Sequence, residues 1–141
     1  MEPRFLDTDV LLRYFTRDDE EKAAQVLALL TRVDRGEERV ETSTMVIFEV
    51  VFTLQKHYRV PREQIRDLLT PIIALRGLRL ADKHVFHRAL DLYVTHNISF
   101  ADAFNAAQMA ARGIATIYTW DTGYDRVPGI DRMEPAADEM A

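Results

Sequence analysis

"SFADAFNAAQMAARGIATIYTWD", residues 99–121, reads as one helix followed by one strand. Ser99 stands as a helix cap. Gly113 lies just past the helix end, where closure favours a left-handed backbone. "ATIYTWD" (115–121) carries the β-branched and aromatic residues of a strand and is the most convincing strand in the chain. A helix that runs directly into a strand should lie antiparallel to it. Asp102, in the first turn of the helix, and Asp121, at the end of the strand, therefore fall at the same edge.

Working outward, "PRFLD" (3–7) is a short extended piece ending at Asp7, and "VLLRYF" (10–15) a helical turn or two. "DDEEKAAQVLALLTRVDRG" (18–36) is a helix with acids in its first turn, Ala24, Leu27 and Leu30 at helical spacing, and Gly36 past its end. "RVETS" (39–43) is a second strand. "TMVIFEVVFTLQKHYR" (44–59) is too long for one strand and apolar nearly all round, which predicts a buried helix. Pro61 suits the first position of the next helix, "PREQIRDLLTPIIALRG" (61–77), in which Pro71 is placed to introduce a kink. "LRL" (78–80) is a third strand. "ADKHVFHRALDLYVTHN" (81–97) is a helix with Val85, Phe86, Ala89, Leu90 and Tyr93 on its apolar face. The tail "RVPGIDRMEPAADEMA" (126–141) adds a short strand at Asp131-Arg132-Met133 and is then expected to fray. Strands alternating with helices imply an α/β fold: a short, mainly parallel central sheet of four to five strands flanked by helices, in a single domain over residues 1–141.

Composition narrows the function. With 48 % hydrophobic and 29 % charged residues, the chain is of the soluble globular class. It has no apolar run of membrane-spanning length and no signal-peptide pattern at "MEPRFLDTD". The absence of cysteine excludes disulfide and thiol chemistry and makes the cytoplasm the expected location. A net charge of −5 counts against nucleic-acid binding by a basic patch. It does not exclude a nuclease, because acidic ligands that bind a divalent cation present positive charge to a phosphate. No Gly-rich phosphate loop is present.

Asp7 ends the first strand and joins Asp102 and Asp121 at the edge where parallel sheets bind ligands. Glu49 is the one charge in "TMVIFEVVFTL", roughly 8 Å into a helix that starts at that edge. Four carboxylates gathered in one place repel one another, and a hard cation relieves that repulsion. Oxygen-only ligands suit Mg²⁺ or Mn²⁺ better than zinc. Such ions activate water and stabilise a leaving oxygen in phosphodiester cleavage. Burying Glu49 without a partner is costly, so the expectation is that it meets metal or metal-bound water.

"FLDTDVLLRYFTRDD", "VIFEVVFTL", "SFADAFNAA" and "TWDTGYDRVPGI" together resemble the acidic motifs of PIN-domain ribonucleases, most closely the VapC toxins. They occur in the family's order and span nearly the whole chain. The resemblance implies an Mg²⁺- or Mn²⁺-dependent endoribonuclease, a homodimer, and neutralisation by a VapB-like antitoxin. It makes Asp7, Glu49, Asp102 and Asp121 the acidic site, with Asp7 and Asp102 as direct ligands. Thr119 matches a hydroxyl common two residues before the last acid, and Tyr124 takes the place of the usual aromatic. Asp9 stands where the family usually has Asn, and Trp120 where it has Phe. Asp125 is an extra acid near the site.

Each acid also has a plain structural role on offer. Asp7 can cap the helix after it, Asp102 fits a capping box with Ser99, and Asp121 can shape the turn before Gly123. Glu49 has an arginine salt bridge as its alternative. His84 and His87, one turn apart, lack a third ligand and read as a solvated helix edge. Arg13 and Arg17 are candidate contacts to RNA phosphates. The apolar faces of the helices at 19–30 and 61–73 are candidates for a dimer surface or a groove for an antitoxin helix, with plain core as the alternative. Beside a toxin nuclease acting on single-stranded parts of RNA, the sequence admits a non-toxin RNA-processing nuclease of the same fold. It also admits a non-catalytic binding module whose acids serve only capping and solubility.

Overall fold

The chain divides into two compact units, one up to Lys83 and one from His84. The computed structural model describes residues 2–136, so the expected fraying of the last residues lies outside the described part.

The first unit contains β1 (Arg4–Phe5), α1 (Thr8–Thr16), α2 (Glu20–Asp34), β2 (Val40–Glu41), α3 (Thr44–Lys56), α4 (Arg62–Ile73) and β3 (Leu78–Arg79). Its strands form a parallel sheet in the order β1-β2-β3, with Arg4 opposite Val40 and Val40 opposite Leu78. The strands are short, but the pairing continues past them. Leu6 N donates to Glu41 O at 2.8 Å, and the buried Thr42 hydroxyl donates to Leu6 O at 2.8 Å. That extension fixes the exit of β1, and with it the position of Asp7.

Helices α2 and α3 each bury one face, and α3 departs from the sequence reading in doing so. In α2 the buried residues are Ala23, Val26, Leu30 and Val33; Ala24 is exposed and Leu27 is 48 % exposed. Both stripes are apolar, so periodicity alone does not select the buried one. In α3 the buried residues are Val46, Ile47, Val50, Val51 and Leu54. Met45, Glu49 and Phe52, spaced by four and three residues, share one exposed stripe, with Met45 76 % and Phe52 59 % exposed. The helix expected to be buried all round therefore has a solvent face, and Glu49 lies on it. Pro61 sits at the N-cap of α4 rather than in its first turn, and the helix continues through Pro71 to Ile73.

The second unit contains α5 (Lys83–Thr95), α6 (Phe100–Arg112), β4 (Thr116–Tyr118), a 3₁₀ turn over Thr122–Arg126 and β5 (Asp131–Met133). The α5 face is the one read from sequence: Val85, Phe86, Ala89, Leu90 and Tyr93 are all buried. The aromatic rings join α5 to α6. Phe86 lies 4.8 Å from Phe104, and Tyr93 meets Phe100 edge-on at 5.7 Å. Strand β4 pairs with β5 in parallel, Ile117 opposite Arg132. The expected parallel strands are thus present, as a three-stranded and a two-stranded sheet. β4 is shorter and more exposed than "ATIYTWD" suggests, with Tyr118 66 % exposed.

Candidate active site

Two of the expected acids meet in the second unit. Ser99 caps α6, accepting a hydrogen bond from Asp102 N at 3.1 Å. This sets Asp102 in the first helical turn, where a carboxylate is also favoured by the helix dipole. Asp121 caps the 3₁₀ turn. Its Oδ1 accepts from Gly123 N at 2.8 Å, and its own N–H donates to the Thr119 hydroxyl at 3.0 Å. Thr119 therefore fixes the Asp121 backbone rather than its carboxylate. Gly123 lies beneath both acids: a Cβ there would stand 3.0 Å from Asp121 Oδ1 and 3.6 Å from Asp102 Oδ2. Glycine leaves that space open.

The two carboxylates titrate as a pair with opposite shifts. Burial raises the Asp102 pKa above its ordinary value of 3.8; the neighbouring Asp121 adds to this, while the Tyr124 and Ser99 hydroxyls oppose it. Asp121 is lowered, chiefly by the Gly123 N–H, then by Asp102, with Arg126 and Arg132 contributing. A single proton shared by the pair resides on Asp102. Like charges at close range in a partly desolvated setting are what a bound cation would relieve.

The other two acids lie in the first unit. Asp7 follows β1 and caps α1, its Oδ1 accepting from Thr8 N at 2.8 Å. The capping role offered by the sequence is real, and it leaves Oδ2 available. Glu49 is exposed on α3 and has no ion pair among the described residues, which removes the arginine salt bridge offered as its alternative.

The accessory residues fall into place as local structure. Asp9 is exposed in the first turn of α1. Arg13 pairs with Asp18 at 3.3 Å, and Asp18 also accepts from the Tyr58 hydroxyl. Arg13 thus closes the α1–α2 corner. Arg17 ends α1 in the left-handed conformation, φ 54°. Asp125 pairs with Arg132 at 3.1 Å. Sequence reasoning missed Asn105, whose Nδ2 donates to the Tyr124 hydroxyl at 3.0 Å. The signal was available: Asn105 follows Asp102 by three residues and so shares its helix face.

Among the described residues, no group of three or more His, Cys, Asp or Glu side chains forms a metal-ligating cluster. The donors at Asp102 and Asp121 nevertheless fit a hard cation: they are oxygen-only, mutually repelling, and open over a glycine.

A family model described as "PIN domain" matches residues 4–130. The chain is also similar to a VapC ribonuclease of Aquifex aeolicus (strain VF5), 23 % identical over 132 residues, a match covering 94 % of this chain and 96 % of the relative. No helix among the described residues is long and apolar enough to cross a membrane.

Proposed function

Since the chain belongs to the PIN-domain family, we propose that it is a divalent-metal-dependent endoribonuclease, acting as the toxin of a toxin–antitoxin pair. The observation that carries this is the Asp102–Asp121 pair over Gly123. Asp7 and Asp102 are the direct ligands for Mg²⁺ or Mn²⁺. When bound, the cation supplies charge to the scissile phosphate and acidifies water. Asp121, kept ionised by the Gly123 N–H, accepts a proton from the attacking water and orients it. Glu49, exposed and with no ion pair among the described residues, completes the acidic set. Single-stranded RNA is the proposed substrate, because its bases can be splayed and read.

The proposed antitoxin site is a groove of about 350 Å³ in the first unit, lined by Tyr14, Phe15, Leu27, Leu68, Pro71 and Leu75 from α1, α2, α4 and the segment after it. It lies against the apolar faces singled out in the sequence. Asp34 and Asp67 at this groove favour a helix carrying basic residues beside its apolar anchors. The chain is proposed to act as a homodimer.

Chelation tests the metal. RNA cleavage is expected to vanish in EDTA and return with Mg²⁺ or Mn²⁺. At 100 times its dissociation constant, Mn²⁺ should stabilise the fold by about 2.7 kcal/mol. A chain that cleaves equally well in chelator rules the proposal out, and a chain with no thermal shift supports the binding module instead.

The pKa shifts give a signed pH dependence. Metal must displace the proton on Asp102, so Mn²⁺ affinity should fall as the pH drops toward that group's raised pKa. In chelator the sign reverses. The folded chain takes up a proton on Asp102 before the unfolded chain does, so stability rises as the pH falls through the raised value toward 3.8. Asp121 opposes this only below 3.8, where its lowered pKa costs stability as it protonates. Melting curves in EDTA across mildly acidic pH should show the rise, and Asp102→Asn should abolish it.

A further inference from the structure

We propose that a groove of about 290 Å³ lined by α6 and β4 holds an unpaired strand of RNA, with Arg112 on a phosphate and Tyr118 stacked on a base. The inference rests on the nuclease reading above and names how its substrate is held. The groove lies wholly within the second unit, lined by Asn105, Gln108, Met109, Arg112, Ile114 and Tyr118 among others. Asp102, Asn105, Gln108 and Arg112 follow one another at steps of three and four residues, so one face of α6 carries them all. At about 1.5 Å per residue, that stripe runs roughly 15 Å from the acidic pair to Arg112. The groove is thus continuous with the candidate active site.

A chain of net charge −5 has to hold an RNA strand with a few well-placed groups rather than a broad basic surface. This groove supplies three kinds. Arg112 is exposed and makes no ion pair among the described residues, so its guanidinium can meet a phosphate. Its separation from the carboxylates along α6 exceeds the screening length of about 8 Å at physiological salt, so they do not cancel it. Tyr118 is 66 % exposed and offers a base a ring to stack on. The side-chain amides of Asn105 and Gln108 suit base edges. Asn105 gives one N–H to the Tyr124 hydroxyl and keeps its carbonyl oxygen for such a contact. Stacking and edge contacts both need a base outside a duplex, which selects single-stranded RNA. An apolar face of a second copy would leave the amides and the guanidinium without partners, at a cost in desolvation.

The test titrates the full chain in EDTA with fluorescent single-stranded oligo(A), oligo(C) and oligo(U), and with an RNA duplex. Arg112→Gln is expected to weaken binding to every single strand alike. It should also reduce the slope of log affinity against log salt by about 0.7, the contribution of one phosphate. Tyr118→Ala is expected to weaken single-strand binding about tenfold with the slope unchanged. Gln108→Ala should narrow the differences among the three strands. The duplex should bind more weakly than any of them. Variants with wild-type affinity and slope overturn the proposal, as does a wild-type chain that binds no single strand in EDTA. An Arg112→Gln chain that melts lower with its slope unchanged also overturns it, because Arg112 then serves only the end of α6. So does a Tyr118→Ala chain of smaller mass in sedimentation and unchanged RNA affinity, which assigns the groove to a second copy. A wild-type chain that cleaves RNA, with variants that bind as it does, keeps the nuclease reading and removes this inference. Binding as expected without cleavage in Mg²⁺ removes the nuclease reading alone.

Discussion

Asp102→Asn should lower RNA cleavage about 1000-fold while leaving a folded protein. A metal ion contributes several kcal/mol of transition-state charge stabilisation. At 1.36 kcal/mol per factor of ten, losing roughly 4 kcal/mol gives that reduction. The substitution keeps the size of the side chain and the Asp102 N–H that donates to Ser99, so the start of α6 is unchanged. It removes a carboxylate that burial and Asp121 hold above its ordinary pKa, so in EDTA the variant should melt no lower than wild type at neutral pH. Activity lost without stability lost separates a ligand from a cap. Cleavage within about tenfold of wild type at saturating Mg²⁺ would mean that Asp102 serves the helix alone.

Gly77→Ala should be the most damaging small substitution for stability. A Cβ at Gly77 would stand 2.5 Å from Glu38 O, 2.6 Å from Val33 O and 3.0 Å from Val33 Cγ1. The first two are backbone atoms, so no side chain can swing aside. Gly77 also donates to Val33 O at 3.2 Å and accepts from Val40 N at 2.9 Å, just before β3. Moving the backbone to admit a methyl group would loosen the end of α2 and the β2–β3 pairing together. Overpacking alone costs about 1–3 kcal/mol, and each strained hydrogen bond adds about 1 kcal/mol. A total near 3 kcal/mol corresponds to a melting temperature lowered by about 10 °C for a chain of this size. A melting temperature within about 2 °C of wild type would show that the α2–β3 junction yields more easily than its contacts indicate.

The elements most legible in the sequence are those whose ends carry their own chemistry. Ser99 and Gly113 bound α6 as read, with Gly113 at φ 70°. Asp131–Met133 is the last strand as read. These signals are local, and local hydrogen bonds obey them. Which stripe of an apolar helix is buried depends on partners distant in sequence, so reading α3 as buried all round puts Met45 and Phe52 inside, and they lie outside. The Asp102–Asp121 meeting followed from helix–strand geometry and is present in the second unit. The helical spacing puts Asn105 on the Asp102 face, but its bond to Tyr124 has no sequence signal, because an aromatic after the last acid reads as packing. Arg13 looked available to RNA until Asp18 claimed it.

The account depends most on Asp7 and Asp102, remote in sequence, sharing one cation. A crystal soaked in Mn²⁺ tests this directly. The account predicts an anomalous peak within about 2.5 Å of carboxylate oxygens from both residues. A peak bound to only one of them, or none at Mn²⁺ concentrations that support cleavage, would contradict it.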